Sequence, residues 1–224
     1  MKTIIFDFDG TLTKGDNKIW RNIWEKLDAL DIDDILFAKY INGELDYDSW
    51  CKAIEKEYIK RNFNNKILDE LISKIELMDN LENVLSTLKK EGYELRILSG
   101  GINYVINNLL KENVKYFSDI RCNHFNFYKK GYLTEIINTD SDEEGKGRYI
   151  TNYTKETNCN PKDIIFVGNG HNYRFVAQTG CNTICINPTG TNHLDKSIWH
   201  QYIDGTSNLA DLLPIINNLK KMHE

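Results

Sequence analysis

The chain has 224 residues, 41% hydrophobic and 27% charged, with a formal net charge of −5 and a pI near 5.6. That length accommodates one domain carrying an insertion, or two small ones, and can bury a core. The acidic balance and scattered Lys/Arg residues argue against a nucleic-acid partner, and no apolar run nears the ~18 residues of a membrane span.

Lys2 to Phe6 reads as a buried strand, short, continuous and β-branched. It runs into Asp7-Phe8-Asp9-Gly10-Thr11. Carboxylates at i and i+2 share a strand face about 6.6 Å apart, from roughly 3.3 Å per residue. If the strand stops near Asp7, Asp9 can curl back so that both enter one site. Two such charges repel unless a cation or a shared proton relieves them; the plainer alternative is a turn built from Asp and Gly.

From Lys14 to Met78 the pattern is helical. Ile19, Trp20, Ile23, Trp24 and Leu27 recur at helical spacing, as do Tyr47, Trp50, Ala53, Ile54 and Tyr58. Ile35 to Tyr40, ended by Gly43, and Ile67 to Ile75 make two more helices. The tryptophans are assigned to packing within this block. βα alternation then begins. The spacing predicts a helix over Asn80–Glu91 ended by Gly92, a strand over Tyr93–Leu98, a helix over Ile102–Glu112 and a hairpin over Phe125–Leu133. A helix over Arg148–Thr157, a strand over Ile164–Val167, a helix over Asn172–Gln178 and a strand over Thr183–Ile186 follow. A helix over Ser207–Met222, N-capped by Ser207, closes the chain. This is an α/β pattern: a doubly wound, mostly parallel sheet with an inserted all-helical cap. The expected division is 1–13 and 79–224 for the core and 14–78 for the cap.

The five cysteines (Cys51, Cys122, Cys159, Cys181 and Cys185) form an odd set without a CxxC pair, which fits a reducing compartment. Cys181 and Cys185 read as small buried residues. The N-terminus enters a strand with no charged-then-apolar leader. A soluble, cytoplasmic protein is the expectation.

In a doubly wound sheet, ligands bind beyond the carboxyl ends of the strands. There the chain offers Asp7 and Asp9, then Leu98-Ser99-Gly100-Gly101 at an expected helix start, then Val167-Gly168-Asn169-Gly170-His171-Asn172. Lys146 precedes an expected helix, flanked by Gly145 and Gly147 that leave it room to approach a ligand. Ser-Gly-Gly at a helix N-terminus can cradle an anion, or serve as an ordinary cap. Carboxylates, a hydroxyl with free amides and a lysine at one edge suit phosphoryl transfer through an aspartyl-phosphate. A hard divalent ion would help the anionic nucleophile approach an anionic substrate.

These motifs, in this order, resemble those of haloacid dehalogenase (HAD) superfamily phosphatases, specifically the phosphoserine-phosphatase-like branch with a helical cap. The Asp7–Leu12 run matches the first motif, Leu98–Gly101 the second, Gly145–Gly147 the third and Val167–Asn172 the fourth. Gly43-Glu44-Leu45-Asp46-Tyr47 matches that branch's cap. The resemblance implies that Asp7 is the nucleophile, Asp9 the general acid/base and Lys146 a charge-neutralising group. It implies Mg²⁺ held by Asp7, Asp9 (through its carbonyl) and Asn169. Phosphate or substrate would be bound by Thr11, Asp16, Ser99, Gly100, Lys146 and Asn172. The partner would be a small phosphorylated metabolite, and the protein a monomer or homodimer.

One motif departs from the family. Where it reads Gly-Asp-Gly-x-Asn-Asp, this chain has Gly168-Asn169-Gly170-His171-Asn172-Tyr173, so both acids are replaced. Three readings follow: an enzyme that needs more metal, a catalytically weak or inactive protein that binds a phosphorylated ligand in a regulatory role, or a non-native Asn169. The acidic run Asp140 to Glu144 reads as a solvated loop rather than a replacement ligand, and His171 as a surface residue. Asp16 favours a substrate amine. Ile54, where phosphoserine-selective members carry arginine, argues against phosphoserine.

Overall fold

The computed structural model describes residues 2–141, 143–170, 174–188 and 198–221. β1 (Thr3–Phe6) is followed by four helices, α1 (Ile19–Lys26), α2 (Leu30–Ile41), α3 (Tyr47–Lys60) and α4 (Asn65–Ile72). Next come α5 (Leu81–Lys90), β2 (Glu94–Ile102), α6 (Asn103–Leu110), β3 (Asp119–Phe127) and β4 (Leu133–Ile137). The chain continues through α7 (Glu143–Thr157), β5 (Ile164–Gly168), α8 (Arg174–Ala177), β6 (Asn182–Ile186), β7 (Gln201–Ile203) and α9 (Leu212–Lys221).

The seven strands form one sheet in the order β4-β3-β2-β1-β5-β6-β7. All neighbours are parallel except β3 and β4. β1 is therefore central, and the chain winds outward from it through β2, β3 and β4 before returning to β5 on its other side. That return is the switch point at which open α/β sheets bind ligands. Every residue of β1 is buried. Ile4 and Phe6 enter one core with Leu85, Leu95 and Ile216, while Ile5 enters the opposite core with Ile150 and Phe166. A strand covered on both faces must be apolar throughout, which is why Thr-Ile-Ile-Phe carries no alternation.

The four inserted helices share a third cluster. Ile23, Trp24, Ile54, Tyr58 and Leu68 pack together there with Ile102, Val105 and Phe125 of the sheet region. The Trp24 and Tyr58 rings stand 4.6 Å apart. The chain enters and leaves side by side: the Lys14 N–H donates to the Glu76 carbonyl at 2.8 Å, and the Met78 N–H to the Leu12 carbonyl at 2.9 Å. No helix among the described residues is long and apolar enough to cross a membrane.

The expected α/β class and the buried Cys181 and Cys185 are both found, and Gly92 takes the left-handed conformation (φ +87°) of a helix C-cap. Several boundaries move. β2 runs on through Ser99-Gly100-Gly101 to Ile102, with its register against β3 shifted between Leu98 and Ile102. α7 begins at Glu143 rather than Arg148. The closing helix is preceded by a 3₁₀ turn capped by Asn208, whose Oδ1 accepts from the Ala210 N–H, whereas Ser207 donates to Asp79. β7 was not anticipated: three residues show no readable period, and pairing with β6 decides their state.

Candidate active site

β1 delivers Asp7 to the centre of the sheet edge. Its N–H continues the ladder to the Val167 carbonyl at 2.8 Å. The backbone then turns tightly, with the Thr11, Leu12 and Thr13 N–H groups all directed to the Phe8 carbonyl. Gly10 makes the turn possible at φ +69°, a conformation costly for residues with a Cβ. Its N–H donates to Thr13 Oγ1 at 2.9 Å. A Cβ on Gly10 would also collide with the Asn169 amide, so the loop after β1 and the end of β5 are packed together at this glycine.

Lys146 Nζ stands 3.1 Å from Asp7 Oδ1, and both residues are buried, at 2% and 6% exposure. The lysine does not precede a helix as expected; it lies in the first turn of α7. Its flanking glycines let it approach the site, as expected, and they do so by close packing against neighbouring backbone. A Cβ at Gly145 would overlap the Asp140 backbone, and one at Gly147 would lie 2.8 Å from the Phe175 carbonyl. They permit close packing of α7, which carries the lysine inward. α7 is then tied to three strands: Tyr153 to Thr3 at 2.9 Å and to Glu94 at 3.0 Å, and Tyr149 to Asp119 at 2.8 Å.

Asp9 is partly buried, and its Oδ1 has no hydrogen-bond partner. Burial, reinforced by the charge of Asp7, pushes its carboxyl up to about 7, against the pull of an Asn17 hydrogen bond and of Lys146. Gly101 separates Asp9 from Ser99. A Cβ there would lie 3.1 Å from Asp9 Oδ2 and 3.2 Å from Ser99 Oγ. Ser99 is 2% exposed and accepts a hydrogen bond from the Gly101 N–H at 3.1 Å. β2 continues through this segment as an irregular strand end, and α6 starts directly after it at Asn103, so the glycines lie just before a helix start as expected.

Asp7, Asp9, Ser99, Gly100, Lys146 and Asn169 therefore converge on one edge of the sheet. Thr11 is fully buried, with a hydroxyl that has no hydrogen-bond partner, beneath the turn. Asp16 is exposed and paired with Lys18 at 3.6 Å. Asn172, His171 and Tyr173 lie outside the described residues. In the acidic run, the exposed Asp140 and Glu144 pair with Arg148 at 2.6 and 3.1 Å, but the run is not a solvated loop throughout: Ser141 is buried and Glu144 lies in the first turn of α7. Asn17, Trp20 and Asn123 were missed as contributors here. Asn123 bonds across 23 residues and Trp20 across 80, and no local pattern marks such partners.

Among the described residues no three His, Cys, Asp or Glu side chains form a metal cluster. The donors that the resemblance implies are the Asp7 carboxylate, the Asp9 carbonyl and the Asn169 amide; Asp7 and Asn169 are buried. All offer hard oxygen, which suits Mg²⁺, but with less charge than two carboxylates supply.

A carboxyl held protonated by burial lowers stability once it must ionise. Between about pH 4 and 7 the unfolded chain loses this proton while the folded chain keeps it, so stability falls as pH rises through that window. Asp9→Asn, which does not titrate, is expected to gain about 1–2 kcal/mol over wild type above pH 7 in chelator-treated buffer. The gain stays below the full shift because the side chain is partly exposed. Urea unfolding of both proteins at pH 4.5 and 8 checks it; equal stability at both pH values would contradict the assignment.

Residues 1–173 match the haloacid dehalogenase-like hydrolase family. A phosphoserine phosphatase of Archaeoglobus fulgidus is 22% identical over 223 residues, covering 98% of this chain and 60% of the relative. Another, from Mycobacterium tuberculosis, is 22% identical over 91% of this chain and 49% of its own length. The chain thus spans roughly half to three-fifths of these relatives. Among solved structures, a phosphoserine phosphatase as a phospho-aspartyl intermediate analogue superposes with a TM-score of 0.69 at 21% identity, covering 96% of this chain and 98% of the other. The match over residues 1–173 decides the family: this chain is a member of the haloacid dehalogenase-like hydrolases.

Proposed function

We propose that the protein hydrolyses a small phosphomonoester through an aspartyl-phosphate on Asp7, with residues 14–78 as a cap over a core of 1–13 and 79–224. The buried Asp7–Lys146 pair, beside a carboxyl that keeps its proton near neutrality, carries this reading. An Asp7 oxygen attacks phosphorus while the bond to the leaving oxygen breaks, and the Asp9 proton passes to that oxygen. Asp9, now a carboxylate, takes a proton from water as the water attacks the aspartyl-phosphate, which releases phosphate and restores Asp7. Lys146, the Ser99 hydroxyl and the Gly100 N–H oppose the charge on the phosphoryl oxygens. Mg²⁺ held by Asp7, the Asp9 carbonyl and Asn169 would further neutralise charge between nucleophile and substrate. Thr11, Asp16 and Asn172 are the remaining candidates for substrate contact.

Asn169 supports a specific expectation. An amide brings no charge to the metal, so Asn169→Asp should lower the Mg²⁺ concentration for half-maximal turnover of p-nitrophenyl phosphate by about 10-fold or more. A Mg²⁺ titration of both proteins measures it. Turnover by wild type at millimolar Mg²⁺ supports the enzyme. Its absence at every Mg²⁺ concentration, with turnover appearing only in Asn169→Asp, would replace it with a regulatory phospholigand-binding protein.

A further inference from the structure

Trp20 belongs to α1 of the inserted helices, yet its indole N–H leaves that cluster and donates to the Gly100 carbonyl at 3.0 Å. The same carbonyl accepts Asn123 Nδ2 at 2.8 Å. Both lone pairs of one oxygen are therefore used. Asn123 is fully buried and cannot turn its amide over, because its Oδ1 accepts the Thr139 N–H at 3.2 Å. Tyr47, the first residue of α3, places its hydroxyl 3.1 Å from Asn123 Nδ2. Two inserted helices thus reach a single peptide group at the end of β2.

That peptide group joins Gly100 to Gly101. Its other end, the Gly101 N–H, donates to Ser99 Oγ. Glycine pairs have the widest conformational freedom of any dipeptide, so an unrestrained Gly100-Gly101 would leave Ser99 undirected. Fixing the carbonyl fixes the plane, and the plane fixes the N–H that Ser99 accepts. The hydroxyl proton of Ser99 is then left to donate to an anion. The Trp20 ring is itself held, 5.2 Å from Phe125 and 6.2 Å from Trp50.

We propose that Trp20 is a positioning residue: it couples the placement of the inserted helices to the orientation of Ser99, and so to affinity for a phosphoryl group. The proposal rests on the phosphatase reading for the role of Ser99. Trp20→Phe keeps an aromatic ring and deletes the N–H. Calorimetric titration of inorganic phosphate into the Mg²⁺-loaded protein should show binding weakened about five-fold, the size of one neutral hydrogen bond. The same substitution in a Ser99→Ala background should have no further effect, since its action runs through the hydroxyl.

Additive losses would mean that Trp20 acts by packing and would overturn the proposal, as would equal phosphate affinity in wild type and Trp20→Phe. Thermal unfolding of Trp20→Phe within about 2 °C of wild type separates loss of the bond from loss of the fold. Wild type that binds no phosphate at all would defeat the phosphatase reading and the proposal together. Wild type that binds phosphate, with an unaffected Trp20→Phe, would defeat the proposal alone.

Discussion

Asp7→Asn should lower kcat toward a generic phosphomonoester by about 10⁴-fold or more, with the fold retained. Asparagine matches aspartate in shape but cannot act as an anionic nucleophile. No neighbouring carboxylate is placed to substitute for it: burial keeps the Asp9 carboxyl protonated up to about pH 7, and Asp140 and Glu144 pair with Arg148 on the surface. The measurement is steady-state turnover at saturating Mg²⁺, with circular dichroism as the check on folding. Residual activity above about 1% of wild type would remove Asp7 from the role assigned to it.

Lys146→Met should carry two separable costs. The first is kinetic, about 10²–10³-fold in kcat, the size expected for loss of one preorganised group that opposes transition-state charge. The second is structural. Lys146 and Asp7 are both buried and 3.1 Å apart, and removing one partner of such a pair costs about 3–5 kcal/mol because the other charge is left uncompensated. Pairing Lys146→Met with Asp7→Asn should recover most of that stability while activity stays lost, since the unpaired charge is then gone. Urea unfolding of the two single variants and the double variant in metal-free buffer tests it. Additive destabilisation would show that the two residues are not energetically coupled.

The chemistry was legible where residue type and local spacing carry it. Asp7 and Asp9 stand at the end of a run that can only be a buried strand, and the topology rule for doubly wound sheets then places them at a ligand edge. Ser99 and Asn169 follow by the same rule and Lys146 by its place in the order of the family's motifs, and the structure brings them together. Gly145 and Gly147 were expected to let the lysine approach a ligand, and they do so as contact points for the Asp140 backbone and Phe175; that the lysine sits inside α7 rather than before it was not legible. Serine and two glycines just before a helix were legible, since α6 begins at Asn103; that β2 extends to Ile102, with its register against β3 shifted, was not. A strand partner 20 or more residues away overrides local propensity, and nothing nearby in the chain announces it.

The sequence by itself determined the class of fold, the central strand and the identity of the charged groups, because burial on both faces and the placement of carboxylates after a strand are local properties. It also carried the loss of charge at Asn169. Only the tertiary structure decided how those groups are held. The raised Asp9 carboxyl depends on desolvation and on Asp9 folding back beside Asp7. The Gly100 carbonyl is gripped by Trp20 and Asn123, residues 80 and 23 positions away. Electrostatic shifts and long-range hydrogen bonds depend on distances in space, and those exist only once the chain has folded.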